Sequence, residues 1–158
     1  MIIFQLVLYC LLFTGMVKVG VGNNALNGLY FYPIAYQEKV YEIGLTDRET
    51  VKKKRKIFMT VFFIVMLIAL LLIIGLWNDV NTFLPAYLHA LLFLEVMNWY
   101  DGIVIDRLWV GHSSFWRIPG VDLPYVQTWQ QVLKKRGILT VIWIAGAAIA
   151  AGLIVLIF

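Results

Sequence analysis

Two stretches of this chain, Ile57–Trp77 and Ile138–Phe158, each run 21 residues without one charged side chain. At about 1.5 Å per residue a helix of that length reaches about 31 Å, the thickness of a bilayer's hydrocarbon core. A chain of 158 residues has no soluble core large enough to hide two such helices, because a domain of that size leaves much of its surface in water. The whole sequence agrees: 62% of residues are hydrophobic and 14% charged, against about 45–50% and about 25% in soluble domains. A soluble globular domain, a disordered chain and a nucleic-acid-binding protein are excluded, and the lipid bilayer is the expected surrounding.

Two further segments are long enough to span but carry polar residues: Ile2–Gly22, with Gln5 and Lys18, and about Phe83–Ile105. The expected fold is an all-α integral membrane protein with four transmembrane helices, at about 2–22, 57–77, 83–105 and 138–158. Together they form a single membrane domain over residues 1–158. A three-span alternative lays the first segment on the membrane surface. The start of the chain lacks a basic residue before its apolar run and a small-x-small cleavage site, so that segment is expected to be retained as a span. The single cysteine, Cys10, excludes an internal disulfide.

Basic residues set the orientation. Lys39, Arg48 and the Lys52–Lys56 run lie in the connection 23–56. Arg107, Arg117 and the Lys134–Arg136 run lie in the connection 106–137. The loop around Asn78–Asn81 carries only Asp79. Positive residues stay cytoplasmic, so both long connections are expected inside and both termini outside. A prokaryotic plasma membrane is the expected location. The two basic runs enforce this topology and are candidate contacts for anionic lipid.

Both connections carry amphipathic patterns. Pro33–Ile43 reads as a short helix with Tyr36, Val40 and Ile43 on one face and Gly44 just past its end. Thr46-Asp-Arg-Glu49 reads as a capping box that launches the helix into the second span. Pro124–Arg136 places Tyr125, Val126, Trp129, Val132 and Leu133 on one side. Both patterns suit short interfacial helices on the membrane surface. In the last span Gly146/Ala150 and Ala148/Gly152 are small residues four apart. Such spacing allows close helix packing, within the chain, with a second copy or with a partner subunit.

The third span holds the candidate chemistry. At 100° per residue Glu95, Asn98, Trp99, Gly102 and Asp106 form one stripe about 100° wide and about 16 Å long, with Asp101 and His89 off it. An ionised Asp, Lys or Arg at mid-membrane costs about 2.5–3.5 kcal/mol, while each Leu, Ile, Phe or Val returns about 0.3–0.6. The 11 such residues from Phe83 to Ile105 return about 3–7 kcal/mol, which does not cover Glu95, Asp101, Asn98 and His89 together. These groups must be shielded, paired or neutralised. Lys18 lies level with Asp101–Asp106, and either pairs with one of them or snorkels to the interface. Glu95 is left without an obvious partner, and either a neutral Glu95 bonded to Asn98 or one that exchanges a proton fits the pattern. Trp109, Trp116 and Arg117 suit an interfacial belt, and His112 lies at the mouth of a pocket whose floor is Asp106, Asn98 and Glu95.

Catalytic signatures are absent. Gly20-Val-Gly22-Asn-Asn-Ala25 matches a dinucleotide fingerprint but follows a span rather than a strand, and no G-x-S-x-G, H-E-x-x-H or P-loop occurs. No metal-ligand spacing is present, and no cofactor is implied. Three functional readings follow. The first is a pocket open to the cytoplasmic leaflet that binds a small or amphipathic molecule through Glu95, Asn98, Trp99, Asp101, Asp106, Lys18 and Arg107. The second is an enzyme acting on a lipid or lipid-linked substrate, with His112 as base and Asp106 or Glu95 as its partner. The third is a structural or regulatory subunit whose polar stripe meets another protein.

Overall fold

A computed structural model describes residues 1–158 of the chain, which is 81% helical and has no strands. Four helices are long and apolar enough to cross a membrane: α1 (Ile2–Val21), α3 (Arg48–Trp77), α4 (Phe83–His112) and α5 (Trp129–Ile157), with the short α2 (Ile34–Glu42) between the first two. Each long helix buries a stripe of roughly helical period. Tyr9, Phe13, Val17 and Val21 do so on α1, Phe62, Met66, Leu70 and Ile74 on α3. The opposite faces are equally apolar, with Ile64 and Ile68 on α3 and Val141 and Ile149 on α5 exposed. Helices apolar all round need a non-aqueous surrounding.

Helix starts follow from local hydrogen bonds. Asp47, not Thr46, caps α3, accepting from the Thr50 amide at 2.8 Å and the Thr50 hydroxyl at 2.7 Å. The expected reciprocal box at Thr46 does not form; a single Asp47 cap one residue later replaces it, because the carboxylate offers Thr50 two acceptor oxygens where Thr46 has one. A reciprocal box does form at Thr128: its amide donates to Gln131 Oε1 at 2.9 Å, and its hydroxyl accepts from the Gln131 amide at 3.3 Å. This box starts α5 at Trp129 and no break follows. The expected interfacial helix over Pro124–Arg136 is therefore not separate. Its second half forms the first turns of one 29-residue helix that also contains the last span.

The two long connections dock onto each other. The Tyr32 hydroxyl donates to the Trp116 carbonyl at 2.5 Å, and the Tyr36 oxygen accepts from the Ile118 amide at 3.2 Å. Tyr32 stacks on Tyr36 with ring centres 4.9 Å apart, and Tyr125 closes on both. α2 exists as expected, with Gly44 past its end at φ 74°, but Tyr36 and Val40 are buried in protein rather than laid on a membrane surface. Trp116, expected in an interfacial belt, is likewise buried in this cap.

The opposite end of the bundle collects the chain ends. Phe4 packs edge-on against Trp77, Gln5 and Asn78 exchange side-chain hydrogen bonds at 2.8 and 3.1 Å, and Phe158 closes on Gly75. Both termini and the Asn78–Asn81 turn thus share one end, with both long connections at the other.

Candidate functional site

α4 and α5 make the most extensive helix pair of the bundle, and their contact is built on the polar residues of the third span. Arg136, two turns into α5 and 1% exposed, places its guanidinium against two carboxylates: Nη1 on Asp101 and Nη2 on Asp106, both at 2.6 Å. Lys135 reaches Asp106 at 3.4 Å. One turn deeper the Asn98 amide donates to the Arg136 carbonyl at 3.1 Å and the Thr140 hydroxyl at 3.3 Å, and its oxygen lies 3.5 Å from Arg136 Nη1. The Thr140 hydroxyl in turn donates to Glu95 Oε2 at 2.7 Å. Glu95 Oε1 is buried without a partner. The stripe is therefore paired, and its partner is the last helix.

Asp101 joins the cluster although straight α-helical geometry turns it away from Asp106. Five residues at 100° each leave the two about 140° apart. Over Asp101–Trp109, however, the helix widens to i→i+5 bonding, with the Val110 amide on the Ile105 carbonyl. In such a π segment residues five apart fall near one face, so both aspartates meet one guanidinium. Gly102 completes the fit. A β-carbon there would stand 2.8 Å from Arg136 Nε and 3.0 Å from Val132 Cγ1, so only glycine admits α5 this close.

Beside this cluster opens a cavity of about 290 Å3 at the end of the bundle that carries the long connections. Asp101, Asp106, Lys135, Gln127 and Arg55 give it a polar side. Phe13, Val17, Phe58, Met59 and Phe62 give it an apolar wall, and Tyr30, Tyr32, Tyr125 and Trp116 complete the lining. Burial pushes the phenol of Tyr30 up to about 12 and raises that of Tyr32 as well, where Tyr36 and Tyr125 add to the effect. These tyrosines thus stay neutral hydrogen-bonding groups.

Several sequence expectations are relocated. Glu95 and Asn98 form the ladder between helices and do not line the cavity, and Trp99 is half-buried without lining it. Lys18 pairs with neither aspartate: its ammonium bonds the Gly22 carbonyl at 2.8 Å and lies 4.2 Å over the Phe115 ring. Arg136 already occupies the carboxylates. Glu95 bonds Thr140 rather than Asn98, whose amide is used by Arg136 and Thr140. Arg107 anchors the approach to α5, donating to the Gln127 carbonyl at 2.5 Å and covering the Trp129 ring.

His112 is exposed, bonds its Nδ1 to the Leu108 carbonyl at 3.0 Å and forms no ion pair with any carboxylate. His89 faces outward on the Pro85 carbonyl. No group of three metal-ligating side chains occurs. In the last span Ala150 is buried within the chain, Gly146 is half-buried and Gly152 is exposed.

Sequence reasoning missed Arg136 and Thr140 as partners of the stripe, and Arg55 and the tyrosines as cavity walls. The Thr128-x-x-Gln131 signature held the clue. A helix begun there reaches Arg136 and Thr140, four residues apart and so on one face. Fold and site together define a four-helix bundle of membrane-spanning proportions with a charged cluster between two helices and an amphipathic cavity at one end. Comparison with protein-family models, with curated proteins and with solved structures finds no match.

Proposed function

We propose that this is an integral membrane protein, of a prokaryotic plasma membrane, with both termini outside and the docked connections in the cytoplasm. Its cavity binds an amphipathic molecule from the cytoplasmic leaflet. The observation that carries this reading is the cavity's two-sided lining, with charged groups at Asp101, Asp106, Arg55 and Lys135 and an aromatic wall at Phe13, Phe58 and Phe62. Apolar pockets with a few convergent polar groups are the usual form of small-molecule sites. The basic residues at the same end support the orientation. The polar stripe that motivated a partner-subunit reading faces α5, and His112 forms no ion pair with the carboxylates that the enzyme reading requires.

The test is native mass spectrometry of the detergent-purified protein with and without the cavity-filling substitution Val17→Phe. A retained amphiphile in the parent chain, lost in the folded variant, supports the reading. A parent chain that retains none, or a variant that retains it equally, sinks it.

A further inference from the structure

The basic run at the start of α3 is not a uniform charged face. Arg55 lines the cavity, whereas Lys54 lines a second depression, a groove of about 320 Å3 between α1 and α3 walled by Met16, Val19, Ile57 and Val61. Lys52, Lys53 and Lys56 line neither. The two spaces are divided by one pair of rings, Tyr30 and Phe58, which line both and stand 5.7 Å apart. Phe58 lies four residues after Lys54 and three after Arg55, so both cations belong to the turn directly before the divide.

Charge decides what this turn accepts. The cavity's two aspartates are balanced by Lys135 and Arg136, two charges against two. Arg55 forms no ion pair and is left over. Lys54 bonds only the neutral amide oxygen of Asn27, at 2.8 Å. Two adjacent uncompensated cations above two spaces that each carry an apolar wall match an anionic phosphate carrying two apolar chains. Guanidinium and ammonium groups are the usual phosphate partners.

We infer that Lys54 and Arg55 hold the phosphate of an anionic diacyl phospholipid straddling the Tyr30–Phe58 divide, one chain in the groove and one in the cavity. This rests on the amphiphile-binding reading and names the class of amphiphile and the way in.

The test uses the full chain in phosphatidylcholine nanodiscs doped with acyl-photoreactive phosphatidylglycerol, or with phosphatidylcholine carrying the same photoreactive chain. Crosslinks are mapped by mass spectrometry. The expected result is phosphatidylglycerol labelling of Met59 in the cavity and of Met16 or Val61 in the groove. Labelling should fall about fivefold on Lys54→Gln or Arg55→Gln and about 25-fold on both together, the loss expected for one and two direct cation–phosphate pairs. The charge-matched Lys52→Gln/Lys53→Gln variant, whose melting temperature serves as a folding control, should retain the labelling. Equal losses in the two double variants mean a diffuse surface field and overturn the site. Equal labelling of the cavity by both probes also overturns it while leaving the amphiphile reading standing. Labelling of the cavity by neither probe removes both.

Discussion

Arg136 is where the molecule concentrates its electrostatics. Its planar fork addresses Asp101 with one nitrogen and Asp106 with the other, a geometry a lysine ammonium does not reproduce. Removing one partner of a buried ion pair leaves charge without compensation and costs about 3–5 kcal/mol. Arg136→Met is therefore expected to lose about that much stability in thermal unfolding in detergent. Adding Asp101→Asn and Asp106→Asn to the same chain should recover most of the loss. A single-variant loss below about 1 kcal/mol would place the cluster among weak surface pairs and contradict the account. Gly102→Ala tests the close approach separately. Its β-carbon would meet Arg136 and Val132 within 3.0 Å, and overpacking of that kind costs about 1–3 kcal/mol.

At the scale of elements, the π segment Asp101–Trp109 decides which residues share a face, and it was not legible beforehand. Periodicity arguments assume 3.6 residues per turn, so Asp101 fell off the stripe although it bonds the same guanidinium as Asp106. Deleting Val104 would leave the two aspartates four residues apart, about 40° in an α-helix, so both should still meet Arg136 without the wider turn. In that background Asp106→Asn should destabilise, as it does in the parent chain. The coupling of Asp106→Asn to Arg136→Met is measurable in a double-mutant cycle in each background, and coupling lost on the deletion would refute the compensating role of the wider turn. The stripe of Glu95, Asn98 and Asp106 was itself legible, as was the need to pair it, because bilayer energetics leave little choice. Its partner was not, since Arg136 stands in a basic run that reads equally well as a topology signal. The docked connections are a second element with its own test. Burial raises the phenols of Tyr32 and Tyr36, so above about pH 10 the unfolded chain releases these protons before the folded one does. Stability is then complete below that pH and declines as pH rises through it. Melting temperatures from pH 8 to 11 should show this decline, and Tyr32→Phe should flatten it.

For the whole molecule, four membrane-length helices were legible from hydropathy alone, whereas the docking of the connections was not. Tyr32, Tyr36 and Trp116 look like interfacial aromatics until their buried hydrogen bonds are seen. That docking also gives the molecule two unlike ends. One is a basic cap formed by both connections, and the other is a sparse turn beside the two termini. The proposed orientation places the cap in the cytoplasm, and it is testable because Cys10 is the only thiol and is buried. On a Cys10→Ser background, Asn81→Cys and Ser114→Cys stand at opposite ends of the bundle, in the turn and in the cap. In intact cells a membrane-impermeant maleimide should modify the chain carrying Asn81→Cys and spare the one carrying Ser114→Cys, with modification of the latter appearing once the membrane is opened. The reverse pattern would invert the molecule and turn the cavity to the outer leaflet. Modification of both in intact cells would contradict the bundle as a spanning structure. Neutralising the Lys52–Lys56 run should weaken the preference toward mixed labelling, since basic residues close to span ends carry the orientation signal. Neutralising Asp79 should leave it unchanged, because acidic residues contribute little to that signal.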